Sequence, residues 1–213
     1  MKGGRYIVVE GPLGVGKTTL ARLLAEEFNA RPVFEQVEEN PFLRKFYEDP
    51  RAHAFQTQLF FLLSRYRQQR QLAQQDLFNQ STVADYLFAK DRIFAQVNLE
   101  ADELALYRQL FGLLDSRLPK PDLVVYLQAR AEVLMERLRK RDREYERRIV
   151  SDYVERIAEA YRDFFFYYED TPLLVVNSSD VDFVERSEDL ADLVHEIKAM
   201  KRGVQHYIPL GSR

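Results

Sequence analysis

Gly11-Pro12-Leu13-Gly14-Val15-Gly16-Lys17-Thr18-Thr19 stands directly after the apolar run Tyr6–Val9 and directly before a segment that carries Leu20, Leu23, Leu24 and Phe28 on one stripe. A G-x4-G-K-T sequence between a strand and a helix folds into a phosphate-binding loop. Its glycines let backbone N–H groups turn inward around phosphate oxygens, and the helix N-terminus adds partial positive charge at the same point. In such a loop Lys17 reaches the β- and γ-phosphates and Thr18 holds Mg²⁺. Residues 11–19 are therefore the candidate ATP site, with Mg²⁺ as the accompanying ion. The motif specifies a nucleoside triphosphate and leaves the acceptor open.

Five short β-like runs are legible: Arg5–Glu10, Arg31–Glu35, Ser81–Asp85, Asp122–Leu127 and Leu173–Asn177. The clearest are continuously apolar, as strands covered on both faces are. Between them, Thr18–Phe28, Ala54–Gln75, Asp102–Leu118, Ala131–Lys140, Val150–Tyr168 and Phe183–Met200 read as helices. Strands alternating with helical crossovers predict an α/β P-loop NTPase, with a five-stranded parallel, doubly wound sheet flanked by helices. The 213 residues show no repeat and no Gly/Ser-rich linker, so a single domain over residues 1–213 is expected. The tail, about 202–213, has lost periodicity and is expected to be a surface extension.

Composition narrows the function classes. The absence of cysteine excludes a disulfide scaffold, thiolate zinc, iron–sulfur clusters and a cysteine nucleophile. With 31 basic and 34 acidic side chains the net charge is −3, which argues against a nucleic-acid polymer as partner. No apolar run approaches the ~20 residues of a membrane span. The N-terminus enters the first strand with no signal or transit pattern, so a cytoplasmic location is expected. His53, His195 and His206 have no metal-ligand spacing.

Two carboxylates fall at predicted strand ends. Asp85 closes Ser81–Asp85 and is the candidate second ligand of Mg²⁺; the alternative is a helix-capping Asp. Glu35 closes Arg31–Glu35 on the edge where such sheets bind ligands. Near a γ-phosphate it can accept a proton from an attacking hydroxyl; a surface-loop Glu is an equal alternative on spacing alone.

Further along, the order and spacing of several pieces are more specific than any one of them. They are Glu35-Gln36-Val37, Asn40-Pro41-Phe42-Leu43, Phe46-Tyr47, Phe55-Gln56-Thr57-Gln58, Leu63-Ser64-Arg65, the Asp85–Lys90 stretch, Ile93-Phe94-Ala95, Pro121–Leu127 and the Arg-rich 137–146. With the phosphate loop they make the chain similar to the deoxyribonucleoside kinase family, in particular its bacterial deoxyadenosine/deoxyguanosine kinase branch, over nearly the whole length. The resemblance implies an ATP-dependent kinase acting on a deoxynucleoside 5′-hydroxyl. It implies Glu35 as general base, Gln58 on the nucleobase edge, and Tyr47 with Glu146 at the sugar 3′-hydroxyl. Gln58 also lies in line with Phe55 and Leu62, where an unpartnered amide would be costly.

The segment Glu136–Arg148 holds seven basic and four acidic residues in thirteen. Such a run is ordinarily a solvated face, yet phosphoryl transfer needs cations over the equatorial oxygens. It resembles the family's lid, about 137–148, with Arg137, Arg141 and Arg143 as candidates. Phe183 is expected near the ATP adenine by the same resemblance. One departure stands out: the family has Arg after the acidic residue at the third strand, and here Tyr86 follows Asp85. Lys90 or Arg92 is expected to substitute, which leaves open whether Lys90 or Asp91 faces the nucleobase. Asn40-Pro41 is expected to start a helix. The apolar breadth of Ala54–Gln75 and Asp102–Leu118 suggests a homodimer through helix packing. A thymidylate-type nucleoside monophosphate kinase and a regulatory P-loop NTPase are the competing readings.

Overall fold

The computed structural model describes residues 4–74, 80–179, 183 and 186–207. Gln75, Val184, Glu185 and residues 208–213, each inside a segment predicted above, lie outside the described residues. Along the chain come β1 (Tyr6–Glu10), α1 (Lys17–Glu27), β2 (Arg31–Val33), α2 (Leu43–Glu48), α3 (Pro50–Gln74), β3 (Thr82–Ala84), α4 (Lys90–Asn98), α5 (Ala101–Asp115), β4 (Leu123–Gln128), α6 (Ala131–Arg141), α7 (Ser151–Phe166), β5 (Leu173–Asn177), α8 (Ser187–Ala199) and β6 (Val204–Tyr207). Short 3-10 turns lie at Val37–Glu39 and Glu144–Arg148.

Among the described residues six strands form one sheet in the order β2-β3-β1-β4-β5-β6, every pair parallel. From β1 the chain first goes to the edge as β2, returns as β3 between β2 and β1, then crosses to the other side for β4, β5 and β6. The reversal opens a crevice beyond the C-terminal ends of β1 and β3, where open parallel sheets bind ligands.

The continuous apolar runs are explained by burial on both faces. Ile7, Val9, Val125 and Leu127 join Leu20, Leu24 and Leu193 in one core layer. Their alternates Tyr6, Val8, Val124 and Tyr126 join Ile157, Tyr161 and Phe165 in the other. Successive strand residues point to opposite faces, so each run feeds two layers. A third cluster, with Phe46, Leu62, Phe88, Tyr107 and Phe111, packs among α2, α3, α4 and α5. Glu100 and Glu103 form a capping box at the start of α5.

Several expectations need correction. The sheet has six strands, not five. Val204–Tyr207 lies in the supposed surface extension yet pairs in parallel with β5. Its side chains are mostly exposed, so backbone bonding at a sheet edge makes this strand and apolar patterning gives no sign of it. The second strand stops at Val33, which leaves Glu35 on the following loop rather than at the strand end. Asp85 likewise sits just past β3. Helix α4 lies outside the helices read from the sequence. The helix expected to start at Asn40-Pro41 is α2, which begins two residues later after a turn in which the Phe42 amide donates to Asn40 Oδ1 at 3.0 Å. No helix among the described residues is long and apolar enough to cross a membrane.

Candidate functional site

The phosphate loop leaves β1 at Gly11 and enters α1 at Lys17. Gly14 holds φ 79°, and a Cβ there would come within 2.7 Å of the Leu134 carbonyl oxygen, so both backbone and space require glycine. Lys17 Nζ donates to the carbonyls of Gly11 at 2.8 Å and Pro12 at 3.1 Å. The ammonium therefore curls over the loop's own oxygens, which a triphosphate would replace. Burial, then the neighbouring Lys90 charge, pushes Lys17 down to about 8. Pro12 accepts from Lys17 through its carbonyl and lines a separate cavity with Tyr126 and Gln128.

Thr18 Oγ1 donates to Asp85 Oδ2 at 2.5 Å, and the Glu35 amide donates to Asp85 Oδ1 at 2.7 Å. One carboxylate thus fastens the phosphate loop and the Glu35 loop to the end of β3. Thr18 and Asp85 are hard oxygen donors brought together from two loops, which fits Mg²⁺. Among the described residues no group of three or more His, Cys, Asp or Glu forms a metal cage.

Glu35 lines a cavity of about 480 Å³ together with Lys17, Thr18, Asp85, Lys90 and Tyr47. Its Oε1 accepts from Arg65 Nε at 2.7 Å, and Oε2 accepts from Lys90 Nζ at 2.7 Å. Burial alone would raise this carboxyl, but the Arg65 and Lys90 charges outweigh it and hold it well below the usual carboxylate range. Of the two substitutes expected for the missing Arg, Lys90 faces Glu35, whereas Arg92 is exposed and lies over the Phe111 ring at 5.9 Å. Tyr86, in the Arg's place, is fully buried in the sheet's core layer.

Arg65 is the second cation on Glu35, and sequence reasoning assigned it no role. It pairs with both Glu35 and Asp91 while lying over the Phe61 ring at 4.6 Å. Asp91 is fully buried; burial pushes it up to about 6 although Arg65 pulls it down. Gln58 stands two helical turns before Arg65 on α3, 3% exposed, and its Oε1 has no hydrogen-bond partner. The Tyr107 hydroxyl lies next to Asp91, whose Oδ2 has no other hydrogen-bond partner. Neither Gln58 nor Asp91 is among the residues lining the cavity that holds Glu35. Gln58 shares the buried stripe of α3 with Arg65, and Asp91 pairs with Arg65.

The 3-10 turn after α6 closes the other wall. Glu146 is buried and takes a two-pronged ion pair from Arg141, at 2.5 and 3.0 Å. Tyr47 lines the same cavity and stacks on Tyr145 at 6.2 Å. Burial, then the nearby Tyr153 and Glu146, raises its hydroxyl well above the ordinary value. The expected Tyr47–Glu146 grouping is thus present. A second cavity of about 440 Å³ lies on the other side of the loop, lined by Val15, Gly16, Thr19, Arg137 and Phe183. Gly14, Lys17, Thr18, Arg141 and Arg143 line both cavities, so the loop and two arginines form the partition between them. Arg137 donates to the carbonyls of Val15 at 3.2 Å and Ser178 at 2.8 Å, bracing the loop against the end of β5. Arg143 donates to the Tyr145 hydroxyl at 2.9 Å.

Comparison with known proteins agrees with this geometry. A family model described as deoxynucleoside kinase matches residues 7–201. A deoxyguanosine kinase of Bacillus subtilis (strain 168) is 33% identical over 205 residues, covering 94% of this chain and 99% of that protein. A deoxyadenosine/deoxycytidine kinase of the same organism is 27% identical over 202 residues, covering 91% and 92%. In fold, the chain is similar to a deoxyadenosine kinase from M. mycoides with bound dATP, with a TM-score of 0.80 at 23% identity, covering 91% of this chain and 99% of that one. The phosphate loop, the carboxylates facing it and the match over residues 7–201 have one reading: the chain belongs to the deoxynucleoside kinase family.

Proposed function

We propose that this chain transfers the γ-phosphoryl group of ATP to the 5′-hydroxyl of a deoxynucleoside, giving ADP and the 5′-monophosphate, as a nucleotide-salvage enzyme of the cytoplasm. Deoxyadenosine is the first acceptor, with deoxyguanosine and deoxycytidine behind it. The observation that carries this reading is that Glu35 opens onto the same cavity as Lys17 and Thr18. A triphosphate tail in the loop and an alcohol at Glu35 would meet across one gap.

The chemistry follows from that arrangement. The nucleoside oxygen bonds to the γ-phosphorus as the bond to the β–γ bridging oxygen breaks, and the hydroxyl proton goes to Glu35. A carboxylate held so far below the usual range is a weak base. In a loose phosphoryl-transfer transition state little proton loss is needed early, so Glu35 orients the hydroxyl first and accepts its proton late. Arg141 and Arg143, which border both cavities, are suited to the charge on the transferring group. Arg137 and Phe183 belong to the ATP side. Mg²⁺ held by Thr18 and Asp85 would neutralise charge on the β- and γ-phosphates.

The acceptor's sugar is assigned to Tyr47 and Glu146. Its base is assigned to Gln58, Arg65 and Asp91, with Lys90 kept for Glu35. The unpartnered Gln58 Oε1 supports this, because a buried acceptor without a donor is costly and a base edge carries N–H groups. The relatives named for deoxyguanosine and deoxyadenosine favour a purine. A homodimer is assigned to the exposed apolar residues Leu106 and Leu113 of α5 with Leu63 of α3; light scattering at the mass of two chains supports it, and one chain removes it.

The deciding experiment supplies Mg²⁺-ATP with deoxyadenosine, deoxyguanosine, deoxycytidine or thymidine and separates the products. Formation of a 5′-monophosphate, fastest from a purine, is expected. ATP hydrolysis with no phosphorylated acceptor would overturn the reading.

A further inference from the structure

We propose that Glu10 is a positioning residue for phosphoryl transfer: its carboxylate ties the first residue of the phosphate loop to the segment that carries Asp85, and so sets the gap between the two reacting groups. The inference rests on the kinase reading above and assigns a residue that reading does not use.

Glu10 is the last residue of β1 and is fully buried. Its Oε1 accepts from the Gly11 amide at 2.8 Å, and its Oε2 accepts from the Leu87 amide at 2.6 Å. The Tyr161 hydroxyl, from α7, donates to Oε1 at 3.0 Å. Three donors converge on two oxygens and no acceptor faces them, which suits a carboxylate and no other side chain of this length.

The location gives the contacts a purpose. The β1–β3 ladder runs Tyr6↔Thr82, Ile7↔Val83 and Val8↔Ala84 and stops there. Beyond it lie Gly11 on one side and Asp85 to Leu87 on the other, flanking the crevice. Glu10 reaches from the first segment to the second, two residues past Asp85, where the backbone ladder no longer joins them. The loop that would hold the triphosphate and the carboxylate that anchors Thr18 and Glu35 are thereby held at one spacing. Reactions of this kind lose up to about 10²-fold when the reacting atoms are misplaced by an ångström.

Substitution separates the tie from the charge. Glu10→Asp keeps the charge but is too short to meet both amides at once. Glu10→Gln keeps the length but turns an NH₂ toward a backbone N–H. Both are assayed with Mg²⁺-ATP and the preferred deoxynucleoside, and kcat is expressed per site able to bind ADP in equilibrium dialysis. The expected result is a fall in kcat per site of about 10-fold or more in both variants, with the KM for the deoxynucleoside within about threefold of wild type. A purely structural role would reduce the number of binding sites and leave kcat per site unchanged, which overturns the proposal. So does a Glu10→Asp enzyme with wild-type kcat per site, since charge alone would then suffice. If Glu10→Gln does not melt cooperatively, Glu10→Asp decides; if neither does, Glu10 serves folding and the proposal fails. A wild-type protein that phosphorylates no deoxynucleoside removes the kinase reading instead, before any variant is compared.

Discussion

Lys90 Nζ lies 2.7 Å from Glu35 Oε2, on the side of the carboxylate opposite Arg65, which holds Oε1. Lys90 starts α4 and is buried, so its charge acts through little water. Lys90→Met removes one of two cations from a buried carboxylate. The cost is expected at about 3 kcal/mol, the lower end for breaking a buried pair, because Arg65 remains. Turnover is expected to fall with it, and Lys90→Arg to recover most of both. Denaturant melts and kcat of the three proteins check this; an arginine variant no better than the methionine variant would go against it.

Glu35→Gln keeps the shape of the side chain and removes its capacity to take a proton. The cavity assigned to ATP lies across the loop, so ATP affinity is expected to stay within a few fold. kcat is expected to drop by about 10²-fold or more, the usual contribution of a general base. Calorimetric titration with ATP and steady-state kinetics on the same preparation measure the two separately. Near-normal turnover would remove Glu35 from the reaction.

What the sequence disclosed depended on how local each signal was. Lys17, Thr18, Glu35 and Asp85 were legible because a contiguous motif holds the first two and the residues just past β2 and β3 bring the others to the same sheet edge. Arg65 was not, because its partners are 30 residues before it and 26 after it, and Arg67 and Arg70 nearby make the helix read as a solvated face. A signal was present all the same. Gln58, Leu62, Arg65, Gln69 and Leu72 step by four, three, four and three, and all are buried. A polar stripe that shares the register of leucines on a long helix faces inward, and its charges need partners there. Glu10 was hidden by the motif beside it, as an acidic residue closing a strand looks like the start of a loop. Strand β6 was missed because its side chains are exposed, and only its backbone pairing marks it as part of the sheet.

Thr18 and Asp85 share a hydrogen bond in the place assigned to Mg²⁺. Asp85→Asn keeps a hydrogen-bonding group of the same size but withdraws the negative charge that a hard cation prefers. The Mg²⁺ concentration for half-maximal activity is expected to rise by about tenfold or more, corresponding to about 1.4 kcal/mol of lost affinity. Chelation by EDTA should stop turnover in both proteins while deoxynucleoside binding persists. An unchanged Mg²⁺ requirement in Asp85→Asn would free Asp85 from the metal role.

Asp91 gives the molecule a pH dependence opposite to that of Glu35. Burial pushes its carboxyl up from the ordinary 3.8 to about 6, with Arg65 opposing. Between those values the folded protein binds more protons than the unfolded chain. The contribution of this group to stability is therefore complete below about pH 3.8 and is lost as the pH rises through about 6. Glu35, held low, contributes stability that is present above its ordinary value and lost as the pH falls. Asp91→Asn has no proton to exchange and leaves Glu35 in place, so subtracting its stability from that of the wild type isolates Asp91. That difference should shift against the wild type by up to about 3 kcal/mol between pH 4 and pH 7, two pK units being worth that much. Thermal melts of both proteins at half-unit intervals measure it. A difference that stays flat, or moves toward the wild type with rising pH, would mean that the Arg65 pairing overcomes burial and that Asp91 remains ionised throughout.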